Sequence, residues 1–189
     1  MNYRRHNMPQ DNQIHLDLET LDTAHTAQIL SIGACWGPRT FYVEVDTKEY
    51  NPVHFTFSSA TKEWWDKQGG FKSTVQTRLP YEALFMLSTW IEDIQSNGKE
   101  PLEIWANAPS FDCAILKYHF AYMNIECPWP FYMERDVRTV KALATQMRLN
   151  IRTFKNPHNA LQDARNQQKY VDSVYMTLAE QLHSNRAMK

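Results

Sequence analysis

Ile14, Leu16 and Leu18 alternate with His15, Asp17 and Glu19, a period of two that predicts a half-buried strand. Two more apolar runs follow, Ile29 to Trp36 and Phe41 to Val45, parted by Gly37-Pro38-Arg39. The three together predict an antiparallel meander. Beyond it the spacing lengthens to that of helices. Ser59 is placed to cap a short helix carrying Trp64 and Trp65. Pro80 suits the first position of a longer helix with Tyr81, Leu84, Phe85, Leu87, Ile91 and Ile94 on its apolar positions, and Gly98 suits its end. A strand is predicted over Leu102 to Ala106 and a helix from about Ser110 to Met123. After the turn at Pro128-Trp129-Pro130 comes another helix, from Asp136 to Met147. A final helix holds Ala160, Ala164, Val171, Val174, Tyr175, Leu178 and Leu182. Strands first, then helices alternating with at least one more strand, predict an α/β layered domain with a mixed sheet.

Composition narrows this picture to one domain. A chain of 189 residues, 43% hydrophobic and 13% aromatic, fills a single core. A mean hydropathy of −0.58 and the lack of a long apolar run exclude a membrane-spanning helix. Residues 1–11 are polar and basic with no apolar stretch behind them, which predicts a loose, flexible arm rather than an export signal. The expected domain spans 12–182, with 183–189 as a C-terminal tail. Cys35, Cys113 and Cys127 are odd in number and lack Cys-x-x-Cys spacing, so a disulfide framework and a zinc knuckle are both disfavoured and a cytoplasmic location is expected.

Three short segments carry candidate chemistry. Asp17 and Glu19 leave the same face of their strand, roughly 7 Å apart along the chain. An isolated Asp-x-Glu is ordinarily polar-out alternation, but the nearly uninterrupted apolar run Ile29 to Trp36 predicts a sheet covered on both faces, where unpaired acids are costly. Magnesium or manganese, hard cations that prefer carboxylate oxygens, would relieve that cost. Asn107-Ala108-Pro109-Ser110-Phe111-Asp112 joins a strand end to a helix start. There Ser110 is a candidate cap, and Asp112 either complements the helix dipole or serves as a rigid metal ligand. His158-Asn159-Ala160-Leu161-Gln162-Asp163 follows Pro157 at the head of the last helix. A separation of five turns two helical side chains about 140° apart, so both serve one site only if His158 lies in the loop and Asp163 on the helix. A loop histidine is suited to taking a proton from water, and such a residue is also common as a surface or capping group.

Asp-x-Glu on the first strand, Ser-Phe-Asp at a mid-chain helix start and His-x-Ala-x-x-Asp near the C-terminus, in this order, resemble the three exonuclease motifs of the DEDD superfamily, His subtype (DEDDh). The resemblance covers about residues 14 to 175. Asp17-Leu18-Glu19-Thr20-Leu21, Ile29-Leu30-Ser31-Ile32-Gly33-Ala34, Glu63-Trp64-Trp65 and His158-Asn159-Ala160 look most like the compact bacterial and phage exonucleases related to ribonuclease AS and the phage A-type exonuclease. Arg135-Asp136-Val137-Arg138-Thr139 is similar to a segment of oligoribonucleases, although the Met-Thr-Gly that follows the first Glu in those enzymes is absent.

The resemblance implies a ribonuclease H-like mixed β-sheet flanked by α-helices. It also implies metal-dependent 3′-5′ hydrolysis of single-stranded RNA or DNA to nucleoside 5′-monophosphates. It makes Asp17, Glu19, Asp112 and Asp163 ligands of two divalent cations, Mg²⁺ or Mn²⁺, and His158 the general base. Thr20 and Leu21 stand where similar enzymes contact the terminal nucleotide, and Phe111 is either a base-stacking platform or a core residue. Of Trp64 and Trp65, about 100° apart on a helix, one is expected in the core and the other toward the cleft. A homodimer is an open option, since related enzymes often form one. A non-catalytic nucleic-acid-binding module on the same fold and a phosphohydrolase acting on free nucleotides or very short oligonucleotides are the competing readings.

Charge then changes its meaning. A net charge of −1 argues against a polyanionic partner. Two divalent ions, however, would add four positive charges. Between Arg135 and Tyr170 eight basic residues (Arg135, Arg138, Lys141, Arg148, Arg152, Lys155, Arg165 and Lys169) also stand against only Asp136 and Asp163. That local surplus suits a short strand entering from one side.

Overall fold

A computed structural model describes residues 12–97, 101–155 and 157–187. The meander is there: β1 (Gln13–Thr20), β2 (Ile29–Trp36) and β3 (Arg39–Glu44) pair antiparallel in sequence. On the other side of β1, β4 (Glu103–Ala106) runs parallel to it, and β5 (Glu134–Asp136) runs parallel to β4. The sheet order β3-β2-β1-β4-β5 makes β1 the central strand.

The described residues form five α-helices besides the sheet: α1 (Ser59–Lys67), α2 (Pro80–Asn97), α3 (Asp112–Tyr122), α4 (Val137–Gln146) and α5 (Ala160–Ala187). Pro80 takes the first position of α2, where its missing N–H is no loss. Two expected caps are displaced. Ser58, not Ser59, caps α1, its Oγ accepting from Thr61 N–H. Phe111, not Ser110, stands at the start of α3, with no side-chain bond there. The spacing also gave no strand at β5. Its three residues are all charged, too few for a period, and they extend only because β4 offers an open edge. Asp136 then caps α4, accepting from Arg138 N–H at 2.9 Å and from the Thr139 hydroxyl at 2.7 Å. Helix α5 continues past Leu182 to Ala187, into the stretch expected to be a tail. The proposed arm 1–11, the helix end at Gly98 and the last two tail positions lie outside the described residues.

Ile14, Leu16 and Leu18 of β1 pack with Leu84, Leu87 and Ile91 of α2 and Ile115, Leu116 and Phe120 of α3. The opposite face lies under α4 and α5, where Trp105, Val137 and Val171 form a smaller apolar cluster. The alternation in β1 therefore separates two interiors, not inside from outside, and the half-buried strand is buried on both faces. Ile14 and Leu16 are completely buried, each contributing about 1.5–3 kcal/mol. A one-residue slip would exchange them with His15 and Asp17, so burial pins the register. Among the described residues no helix is long and apolar enough to cross a membrane.

Candidate active site

The polar face of β1 carries Asp17 and Glu19 toward α5, and Asp163 in the first turn of α5 meets them. One carboxylate oxygen from each of the three lies within 4.8 Å of the others. The approach depends on Gly33, which pairs with Asp17 in the β1–β2 ladder. A Cβ at Gly33 would fall on backbone atoms of Ala160 and Leu161, so only glycine lets the start of α5 lie against β2. Asn159 fixes that start. Its Oδ1 accepts from Gln162 N–H at 3.0 Å, and its own N–H donates to Asp163 Oδ2 at 3.2 Å, orienting the carboxylate. The β1–β2 register shifts between Glu19 and Thr20, an irregularity that re-aims the strand end beside the acids.

Asp112, the first residue of α3, is buried behind this group. Its Oδ1 accepts from the N–H of Leu18, the residue between the two β1 acids, at 3.1 Å. It is therefore next to the three-carboxylate cluster without being one of its members. Burial, reinforced by the charges of Asp112, Glu19 and Asp163, raises the Asp17 carboxyl well above the usual range. Burial, with Asp163 and Asp112 adding to it, pushes Glu19 up to about 8. Burial also raises Asp112 to about 7, against the pull of the Leu18 N–H, and Asp163 to about 6, against the N–H groups of Asn159 and His158. Among the described residues neither Asp17 nor Glu19 makes an ion pair. A buried set of oxygen donors that repel one another fits a hard divalent cation.

His158 lies in the loop before α5, as its spacing from Asp163 requires. Its backbone sits in the left-handed region at φ 54°, a conformation uncommon outside glycine and found at functional turns. Its ring stands edge-on to Trp64, with centroids 4.7 Å apart, and to Trp65 at 6.3 Å. Trp65 is the buried member of the pair, its Nε1 donating to the Thr20 carbonyl at 3.0 Å, while Trp64 is 37% exposed. Glu19, Thr20, Ser58, Trp64, Trp65 and Phe111 line a cleft of about 500 Å³. Leu21 is not on that lining. Its N–H donates to the Gln28 carbonyl and its carbonyl accepts from Ser58 N–H, tying the end of β1 to the cap of α1.

The family model of the Rv2179c-like 3′-5′ exoribonuclease domain matches residues 12–175. The chain belongs to this family. It is a hydrolytic 3′-5′ exonuclease by that membership. Solved structures agree on the fold. The nuclease domain of 3′hExo, a DEDDh family member bound to rAMP, is 12% identical with a TM-score of 0.59, over 90% of this chain and 94% of that one. Cell-death related nuclease 4 (CRN-4) is 15% identical with a TM-score of 0.53, over 92% of this chain and 65% of that chain, so here the match spans just under two thirds of the neighbour. No curated protein matches the sequence.

Two further residues of the site carry no motif in the sequence. Gln167 Nε2 donates to Asp17 Oδ1 at 2.8 Å. Its signal was its place four residues after Asp163, on the same helix face. Lys141 on α4 donates to Asn107 Oδ1 at 2.8 Å and stands over the Tyr170 ring at 5.8 Å. Burial and the nearby Arg138 lower its ammonium from the usual lysine range, while Asp17 and Asp163 draw it back up. It was visible only as one of eight basic residues. Of the others, Arg135 pairs with Glu103, and Arg152 and Lys169 rest against the Phe154 ring.

Proposed function

We propose that this exonuclease removes nucleoside 5′-monophosphates one at a time from the 3′ end of single-stranded nucleic acid, with RNA preferred. The observation that carries the reading is the convergence of the Asp17, Glu19 and Asp163 carboxylates within 4.8 Å at a buried point between two clefts. Asp17, Glu19, Asp112 and Asp163 would hold two divalent cations, Mg²⁺ or Mn²⁺. Such ions, when bound, lower the pKa of an attacking water and stabilise a leaving oxygen. His158 takes the proton from that water. The water oxygen forms the new bond to phosphorus, and the bond from phosphorus to the 3′ oxygen of the preceding nucleotide breaks, that oxygen keeping the electron pair and taking a proton from solvent. Gln167 holds Asp17 in place, and the N–H groups of His158 and Asn159 hold Asp163.

Thr20 and Phe111, on the lining of the aromatic cleft, would receive the terminal nucleotide, with Trp64 at its open side. Leu21 would act through the backbone bonds that fix the end of β1. Residues 12–182 make up the exonuclease unit in this reading. The sequence Asp17-Leu18-Glu19-Thr20-Leu21, with Glu63-Trp64-Trp65 and His158-Asn159-Ala160, supports a relation to the compact bacterial and phage exonucleases. The preference for RNA is supported by the description of the family, a 3′-5′ exoribonuclease domain.

The test is digestion of matched RNA and DNA oligonucleotides, each labelled at the 5′ or the 3′ end, with Mg²⁺ or with a chelator. Mononucleotide release from 3′-labelled RNA, abolished by chelation and by Asp163→Ala, is the expected result. Retention of the oligonucleotide with no release overturns the proposal in favour of a binding module. Release from a nucleoside triphosphate with none from an oligomer points instead to a nucleotide phosphohydrolase.

A further inference from the structure

A second pocket of about 380 Å³, whose lining includes Asp17, Asp163, Asn107, Lys141, Phe154 and Tyr170, borders the carboxylates and shares no lining residue with the aromatic cleft. Asp17 and Asp163 thus belong both to the acid cluster and to the lining of this pocket, while Glu19 lines the aromatic cleft. Two lysines, Lys141 and Lys155, stand on its lining, and Lys141 is the one held in place. Asn107, just beyond the end of β4, accepts one N–H of its ammonium at 2.8 Å, and the Tyr170 ring supports it from α5 at 5.8 Å. Among the described residues no second hydrogen bond or ion pair engages that ammonium. Of its three donors, two remain for a ligand. Half-buried and held from two sides, it has already given up the rotamer freedom that a surface lysine loses on binding.

The geometry points to this pocket as the place where the strand continues beyond the reacting phosphate, with Lys141 binding the next phosphodiester on the 5′ side and Phe154 flanking the nucleotide it belongs to. The inference rests on the reading that the terminal nucleotide lies in the aromatic cleft. If it does, the scissile phosphate sits at the carboxylates and the chain can continue only away from that cleft. The second pocket borders the carboxylates without sharing a lining residue with that cleft, and it offers two cations, Lys141 and Lys155, and the Phe154 ring face. Lys141 is then a specificity-determining residue: it favours substrates of three or more linked nucleotides, which carry a phosphodiester upstream of the scissile one, over mononucleotide esters.

Lys141→Met keeps the stem and removes the charge. Two substrates separate its role from that of the carboxylates: a short single-stranded oligonucleotide, and the p-nitrophenyl ester of a nucleoside 5′-monophosphate, which has a scissile phosphate but no phosphodiester upstream. A charge-assisted hydrogen bond of this kind predicts that kcat/KM on the oligonucleotide falls roughly tenfold or more beyond any fall on the ester. A readout free of turnover is the fluorescence anisotropy of a labelled oligonucleotide in Ca²⁺. There the variant's binding should lose about 0.7 from its logarithmic salt slope, the share of one phosphate contact on a single strand. Equal losses on both substrates, or an unchanged salt slope, overturn the proposal, the first by placing Lys141 at the reacting phosphate or in the fold. A wild-type protein that cleaves neither substrate overturns the nuclease reading itself, and this inference with it.

Discussion

Gly33→Ala adds one methyl group at the point where α5 rests on β2. Its neighbours there are the carbonyl carbon and oxygen of Ala160 and the amide nitrogen of Leu161, all backbone, so no side chain can swing aside. Restoring an ordinary carbon contact of about 3.5 Å requires the start of α5 to retreat on the order of 1 Å. Overpacking of this kind costs about 1–3 kcal/mol. At about 2–4 °C per kcal/mol for a domain of this size, the melting temperature falls by roughly 2–12 °C. The same retreat carries Asp163 away from Asp17 and Glu19, and a displacement of about 1 Å in a reacting constellation costs on the order of a hundredfold in rate. Calorimetric melting of the variant, with kcat/KM on a 3′-labelled oligonucleotide, measures both effects. The informative outcome is disproportion: a modest loss of stability with a large loss of activity and a smaller metal-induced rise in melting temperature. A Gly33→Ala protein with wild-type stability and wild-type turnover refutes the packing argument.

Without metal, the raised carboxyls set the pH dependence of stability. A carboxyl whose folded pKa is raised binds a proton that the unfolded chain has released, so stability falls as pH rises from about 4, the ordinary value, to about 8, where Glu19 titrates. Melting in EDTA across that range should show the decline and Mg²⁺ should reverse it; a flat profile counts against a repulsive cluster. Asp17→Asn should melt higher than the wild type in EDTA at pH 8, because Gln167 keeps an oxygen to donate to while one charge is gone, yet it should lose the stabilisation by metal and the activity. His158→Ala should lower kcat by about 10²- to 10⁴-fold, the usual share of a general base, with a smaller change in KM; unchanged turnover assigns the base elsewhere. Trp65→Ala should cost about 3–5 kcal/mol as a buried aromatic truncation, whereas Trp64→Ala should spare stability and raise KM for oligonucleotides. Equal destabilisation by the two would mean that Trp64 is a core residue as well.

The sequence by itself determined the elements whose side chains repeat. The meander, Pro80 at the head of α2 and the apolar stripes of α2 and α5 were legible because a residue's burial there follows from its place in a period, a local property of the chain. The segments bearing Asp17, Glu19, Asp112, His158 and Asp163 were legible for a different reason: short motifs in a fixed order, each on an element whose type could be read around it. Tertiary structure decided the rest. Strand β5 exists because β4 has an edge to offer, which nothing in Glu134-Arg135-Asp136 announces. The polar face of β1 turned out to be interior because α5 returns to cover it from more than a hundred residues away. Gly33, whose place in an apolar run says nothing of what lies against it, governs how closely that helix returns. Gln167 and Lys141 acquired their roles only when α4 and α5 carried them beside Asp17. Periodicity reports which side of an element is apolar; which polar groups meet across the core is set by packing between segments distant in sequence, and the chemistry of this site resides in those meetings.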